Sequence, residues 1–184
     1  NNSIFNKKQE QGIQIPDDCQ VVFVADMFID DYVGGAELTT EALIESSPFK
    51  VFKLRSNNVT LENLEQGQNR HWVFGNFANL NVELIPTIVS NIAYSVLEYD
   101  FKFCKYRSTH KHKMAEGIDC NCHNDMQGKM ISAFLHGARS IWWMSEKQQE
   151  EYWERFPFLK DNNQCVLSSV FGEGFWQTLK NLKE

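Results

Sequence analysis

"QVVFVADMFIDDYVGGAELTTEAL", from Gln20 to Leu43, contains the first predicted strand, a loop and the first predicted helix. It opens with an apolar, β-branched run typical of a buried strand and closes with a segment of helical periodicity. The glycine pair Gly34 and Gly35 lies between them, directly before the helical segment. A strand, a loop and a helix in this order form the first half of a βαβ unit.

The same alternation of short apolar runs and helical segments continues from Cys19 onward. Further strands are expected in "FKVFKLRS", "HWVFGNF", "AYSVLEYD", "RSIWWMS" and "QCVLSSVF". Alternating strands and helices in one domain imply parallel strands joined by right-handed crossovers. The sequence therefore predicts a Rossmann-like three-layer α/β/α sandwich with a mainly parallel sheet, whose ligand site lies at the carboxyl ends of the strands.

Two segments carry less regular patterns. "LNVELIPTIVSN" is predicted to be a helix interrupted by Pro86. The long stretch from Phe101 to Asn124 is predicted to be irregular, and it is followed by the helix "DMQGKMISAFLHGA".

Length and composition limit the class of protein. A chain of 184 residues with 42% hydrophobic content suffices for one well-buried domain and is short for two. Residues 1–18 are polar and are expected to form a tail or an edge segment, and residues 19–184 a single domain. The net charge of −6 argues against general binding of nucleic acids. No apolar run approaches the roughly 18 residues of a membrane span, and no signal core is present, so a cytoplasmic protein is expected.

The glycine pair is the first candidate for ligand binding. Free backbone N–H groups and the helix dipole favour an anion before a helix, and glycine lets a phosphate or sugar approach the main chain. A tight strand-to-helix turn without a ligand explains two glycines equally well. The G-x-G-x-x-G fingerprint of dinucleotide binding is absent, so the sequence does not support NAD.

A cationic segment, "EYDFKFCKYRSTHKHK", follows the fourth predicted strand. Lys102, Lys105 and Arg107 suit a phosphorylated ligand, although a solvated charged loop has the same composition. Its aromatic residues also resemble a platform for single-stranded nucleic acid, which the overall acidity disfavours. Glu98 and Asp100 point to opposite faces if the strand continues through them. A carboxylate beside several cations is expected to stay ionised and to suit hydroxyl binding.

The same region concentrates soft metal ligands. Cys104, Cys120, Cys122 and His123 form a candidate zinc set, to which His110 and His112 add two imidazoles. The C-x-C spacing departs from the C-x-x-C of a standard zinc knuckle. Reduced cysteines that pack the loop are the alternative, because an odd number of five cysteines does not indicate a disulfide framework.

Four segments in this order resemble the N-terminal domain of a GT-B glycosyltransferase, closest to the retaining enzymes of glycosyltransferase family 4. They are "YVGGAE" (32–37), "VLEYDFKFC" (96–104), "ARSIWWMSEKQQEEY" (138–152) and "NNQCVLSSVFGEGFW" (162–176). Two departures stand out. Glu98 occupies the position of the family's histidine, and Ser168 to Phe171 replace its asparagine-glycine pair.

The resemblance implies one half of an enzyme that moves a sugar from a nucleotide-sugar donor to an acceptor hydroxyl with retention. Gly34 and Gly35 would approach the donor phosphates or the acceptor, and Lys102, Lys105 and Arg107 would hold an anionic acceptor. It implies that catalysis needs no metal, so that zinc would be structural. Nothing in the chain matches the family's donor-binding domain, so this chain alone is expected to be inactive.

A function from another class remains open beside the transferase. A stand-alone Rossmann-like module could recognise a phosphorylated ligand or a partner protein through the same loops, without chemistry. The fold alone does not separate the two.

Overall fold

A computed structural model describes residues 12–167 and 173–182. Six strands form one all-parallel sheet in the order β2-β1-β3-β4-β5-β6. The strands are β1 (Val21–Ala25), β2 (Val51–Arg55), β3 (His71–Phe74), β4 (Ala93–Glu98), β5 (Ser140–Trp143) and β6 (Gln164–Val166). The predicted parallel α/β class is confirmed.

Seven α-helices connect or follow these strands in the described residues. They are α1 (Gly35–Glu45), α2 (Leu61–Gln66), α3 (Ile85–Asn91), α4 (Thr109–Glu116), α5 (Met126–His136), α6 (Glu146–Arg155) and α7 (Glu173–Asn181). Alternate strand residues enter two separate cores: Val21 and Phe23 pack with α1 and α7, and Val22 and Val24 with the layer that holds α2, α3, α5 and α6. The sheet is therefore covered on both faces, as in a three-layer sandwich.

The strand order reverses beside β1, because the chain runs outward to β2 and returns to β3 on the other side. In open α/β sheets ligands bind outside the carboxyl ends of the strands at such a point. Here the Asp26 carboxylate accepts hydrogen bonds from the backbone N–H groups of Ala78 and Asn79, both at 3.0 Å, and from the Ser56 hydroxyl. Asp26 thus ties together the loops that follow β1, β2 and β3.

Two local predictions were wrong. Pro86 does not interrupt a helix; it is the second residue of α3, where its missing N–H costs no helical hydrogen bond. The stretch expected to be irregular contains α4, in which Ser108 caps the start by accepting from the Lys111 N–H at 3.2 Å. Gly117 ends that helix with a φ of 72°, a left-handed conformation that favours glycine.

The described part of the N-terminal segment packs along α2. Ile15 is buried, its N–H donates to the Gln66 side chain at 3.2 Å, and the Asn63 side chain donates to the Ile13 carbonyl at 2.6 Å. Residues 13–15 are therefore held against α2. Ser168 to Phe171, where the sequence departs from the pattern of glycosyltransferase family 4, lie outside the described residues.

Gly128 sets how closely α5 approaches the turn at Cys122. A Cβ at Gly128 would lie 2.3 Å from the Cys122 carbonyl oxygen and 2.7 Å from the His123 Cα. Both neighbours are backbone, so neither can move without displacing the turn.

We predict that Gly128→Ala destabilises the protein by about 1–3 kcal/mol, the usual cost of overpacking. The helix propensity of alanine opposes this cost by at most about 1 kcal/mol. Gly35→Ala is the matched control, because a Cβ at Gly35 meets nothing within 4 Å. Urea unfolding of both variants measures the difference, and equal stability of the two would contradict the packing argument.

Candidate metal centre and the adjoining cleft

Three cysteines and one histidine converge in the connection between β4 and α5. Their ligand atoms all lie within 4.8 Å of one another, and all four residues are buried. We call Cys104, His112, Cys120 and Cys122 the Cys–His cluster. A group of this composition could bind a metal ion such as zinc.

Local structure explains how the four ligands meet. Cys104 lies in a tight turn, where its N–H donates to the Phe101 carbonyl at 2.9 Å. His112 lies on the buried side of α4, and Cys122 begins the short 3₁₀ turn of residues 122–124 that packs against α5. The Nδ1 atom of His112 faces two sulfurs, 3.7 Å from Cys104 Sγ and 3.5 Å from Cys122 Sγ.

The structure brings together the three predicted cysteines but pairs them with His112, not with His123. A 3₁₀ turn has about three residues per turn, so adjacent side chains point about 120° apart. The thiol of Cys122 enters the cluster, and the imidazole of His123 packs edge-on against Phe156 at a centroid distance of 6.2 Å. Burial, and next the nearby Arg155 guanidinium, lower the pKa of His123. The remaining histidine of this segment, His110, is exposed.

Burial also affects the thiols of the cluster. It raises the pKa of the Cys120 thiol to about 12. Without a bound cation this thiol is therefore neutral near physiological pH. All five cysteines are free in the structure.

The second feature of this region is the buried Glu98 carboxyl at the end of β4. It accepts from the Lys102 ammonium, from the backbone N–H groups of Lys102 at 3.3 Å and Asp100 at 3.4 Å, and from the Tyr152 hydroxyl. Glu98 is fully buried, so it does not reach a ligand directly. It fixes the first turn of the loop after β4.

Burial raises the pKa of Glu98, and the Lys102 ammonium opposes that rise. The expectation that neighbouring cations alone decide the charge of this carboxyl thus omitted the larger effect of desolvation. All four contacts to Glu98 come from hydrogen-bond donors, an arrangement that suits the carboxylate. Burial and the charge of Glu98 raise the pKa of Tyr152, so its hydroxyl stays protonated.

The three predicted ligand-binding cations all form ion pairs within the protein. Lys102 contacts Glu98 and, at 3.0 Å, Asp100; Lys105 contacts Glu116 beside the Cys–His cluster. Arg107 Nε lies 2.7 Å from an Asp100 oxygen. Each of the three predicted cations of the loop is therefore paired with a carboxylate. Lys105 lies beside the Cys–His cluster, through its contact with Glu116.

Arg107 stands out through its backbone. Its φ of 55° is the only positive value at a non-glycine position among the described residues, a conformation that costs about 1–3 kcal/mol. Its guanidinium donates to the Asn76 side chain at 3.2 Å, and the side chain remains 38% exposed. Lys105 is more exposed, at 52%, but it lies beside Glu116. Arg107 is therefore the more accessible of the two cations, Lys102 and Arg107, that face the adjoining cleft.

A cleft of about 470 Å³ lies at the carboxyl edge of the sheet beside this loop. Its volume is within the usual range of small-molecule sites. Its walls are mainly apolar and include Phe77, Leu80, Ile85, Met126, Met130 and Ile131. Lys102 and Arg107 also line it, with the Lys102 ammonium 5.2 Å from the centre of the Phe77 ring.

The glycine pair lies at the same edge of the sheet, at the start of α1, and does not line this cleft. A Cβ at Gly34 would lie 2.7 Å from the Glu37 carboxylate and 2.8 Å from the Tyr32 ring, so these two side chains would have to move to admit it. Gly35 faces open space. No side chain caps the first turn of α1, which leaves its N–H groups free for a ligand.

The sequence reasoning did not assign several of the residues that build this region to it. Gln148 is the clearest: its side chain donates to the carbonyls of Glu98 and Asp100, both at 2.8 Å, and so clamps the loop onto α6. Glu116 contacts Nε2 of His112 at 2.9 Å, four residues along α4. The i,i+4 spacing of His112 and Glu116 was a usable signal once α4 was recognised.

Comparisons of this chain with protein-family models, curated proteins and solved structures found no match. None of the helices in residues 12–167 and 173–182 is long and apolar enough to cross a bilayer.

We predict that Glu98→Gln destabilises the protein by about 3 kcal/mol, the lower end of the range for breaking a buried ion pair. The Lys102 ammonium is only 4% exposed, and Asp100 alone would then compensate its charge. Urea unfolding measures the loss.

Adding Lys102→Met to Glu98→Gln is the control. The double variant removes the uncompensated charge and is expected to recover most of the lost stability. An unchanged stability of the single variant would show instead that Glu98 is already neutral.

Proposed function

We propose that residues 19–184 form the acceptor-side half of a retaining glycosyltransferase that takes a sugar from a nucleotide-sugar donor. The observation that carries the proposal is the position of the Gly34–Gly35 turn. It follows β1 at the carboxyl edge of an all-parallel sheet, beside the point where the strand order reverses. Ligands of such sheets bind at this edge.

Gly35 supports the proposal more than Gly34 does. A side chain at position 34 would displace the Glu37 and Tyr32 side chains, whereas nothing in the described chain requires a glycine at position 35. In the proposed enzyme, the free N–H groups of the first turn of α1 bind the donor diphosphate or an acceptor oxygen.

The cleft supplies the acceptor site in this proposal. Its apolar walls accommodate an acceptor with an apolar portion, and Arg107 binds an anionic group on it. Because Asp100 already pairs with Arg107, the acceptor must displace Asp100 from the guanidinium. Glu98 positions the loop and is too deeply buried to contact the acceptor. Lys102 lines the cleft, but its ammonium is paired with Glu98 and Asp100.

The proposed reaction needs no metal at the reacting atoms. The leaving diphosphate is stabilised by helix N-termini and basic side chains. A metal ion in the Cys–His cluster is structural in this proposal, and its ligands are buried.

We predict that an anionic sugar ligand stabilises the 184-residue chain, and that Arg107→Ala abolishes the effect. The probes for Arg107 are simple sugar phosphates, which stand in for the anionic acceptor, in a thermal-shift titration; UDP-, GDP- and ADP-sugars, titrated in parallel, test the glycine turn through Gly35→Val. A ligand at a hundred times its dissociation constant adds about 2.7 kcal/mol, or about 5–10 °C for a domain of this size. Arg139→Ala is the matched control, since Arg139 is exposed and precedes β5 at the opposite edge.

Asp100→Asn tests whether the ligand replaces Asp100 as the partner of the Arg107 guanidinium. Freeing the guanidinium is expected to tighten binding of the same ligand several-fold. Weaker binding in this variant would contradict the exchange. Ligand binding that survives Arg107→Ala but is lost in Gly35→Val would place the anion at the glycine turn instead.

A stand-alone binding module predicts the same ligand shifts, so turnover separates it from the transferase. Release of nucleoside diphosphate from a nucleotide-sugar, when this chain is joined to a donor-binding domain, supports the transferase. Binding without such release under those conditions supports the module.

A further inference from the structure

We propose that the Cys–His cluster binds one zinc ion through the sulfurs of Cys104, Cys120 and Cys122 and the Nδ1 atom of His112. The ion holds the β4–α5 connection, residues 99–125, in its folded form. This inference is independent of the proposed glycosyltransferase function.

The interatomic distances match a tetrahedral site. Zinc binds sulfur at about 2.3 Å and imidazole nitrogen at about 2.05 Å, which places sulfur and nitrogen about 3.6 Å apart in a tetrahedron. The two measured distances from His112 Nδ1 are 3.7 Å to Cys104 and 3.5 Å to Cys122. These two distances therefore match a zinc site, and all four ligand atoms lie within 4.8 Å of one another.

The chemistry of the ligands selects the metal. Three thiolates and one imidazole are soft ligands, which favour zinc over magnesium or calcium. Four protein ligands complete a tetrahedron and leave no open position, the pattern of structural rather than catalytic zinc. Binding releases the thiol protons to solvent, at most three per ion, and changes no oxidation state.

The surroundings orient the imidazole toward the ion. Nε2 of His112 lies 2.9 Å from a Glu116 oxygen, so Nδ1 is the atom left for the metal. A carboxylate behind a metal-binding histidine fixes the ring and raises its basicity. Glu116 is itself held by Lys105 and by the Tyr106 hydroxyl at 3.2 Å.

The charge of the occupied site is also compensated. Three thiolates and a divalent cation carry a net charge of −1. The Arg155 side chain lies against the cluster and donates from Nε to the Cys120 carbonyl at 3.4 Å.

The first experiment measures the zinc content of the untagged 184-residue chain, purified without chelators. We expect one zinc per chain, retained in Cys165→Ser and His123→Asn and lost in Cys104→Ser, Cys122→Ser and His112→Asn. Cys165 is a matched cysteine outside the cluster, and His123 a matched histidine beside it. Loss of zinc in His123→Asn, with retention in His112→Asn, would overturn the assignment.

X-ray absorption at the zinc edge of the wild-type chain needs no variant and so does not depend on variant folding. The expected first shell is three sulfurs at about 2.3 Å and one nitrogen at about 2.0 Å. A chain that contains no zinc after expression in zinc-supplemented medium, or in which two of the three thiols form a disulfide, would overturn the proposal.

Glu116→Gln tests the positioning role of Glu116. Removing such a carboxylate is expected to weaken zinc binding about 10–100-fold while the three-sulfur, one-nitrogen shell is preserved. Glu116→Asp is expected to recover part of the affinity. Unchanged affinity in Glu116→Gln would show that Glu116 does not orient His112.

Discussion

The candidate site depends on the complete burial of the Glu98 carboxyl at the carboxyl end of β4. A buried charge is costly unless donors surround it, and here the donors come from the first turn of the following loop and from Tyr152 of α6. The side chain of Gln148, on α6, donates to the carbonyls of Glu98 and Asp100 and so joins the same turn to that helix. The loop therefore leaves the sheet in one fixed direction.

The Cys–His cluster fixes the other part of that connection. Cys104 lies two residues beyond Lys102, so the two anchors meet in a single tight turn, and Gly128 lets α5 close against the turn at Cys122. Arg107 lies three residues beyond Cys104, between the cluster residues Cys104 and His112, and has the strained positive φ. The strain is sustained because both sides of the turn are held, and its result is a guanidinium placed at the edge of an apolar cleft.

The sequence predicted the sheet better than it predicted the site. Apolar runs such as "VVFVA" identify strands because both faces of a parallel sheet are buried. Helix α4 was missed because its residues are polar, although Ser108 and Gly117 mark its two ends. Because α4 was missed, the predicted metal ligands included His123 and not His112. It is the helical conformation of α4 that places the His112 side chain beside the cysteines. The spacing of residues along the sequence does not show which carboxylate pairs with each cation, because these ion pairs depend on three-dimensional positions.

We propose that a zinc ion orders residues 99–125 together with the Glu98 network. Native-state hydrogen exchange of the chain, before and after zinc is removed by a chelator, tests it most directly. We expect protection to fall in residues 104–125, while β1, β3 and β4 stay protected, because their pairing does not involve the cluster. Unchanged protection in residues 104–125 after removal of zinc, or an equal loss throughout the sheet, would contradict it.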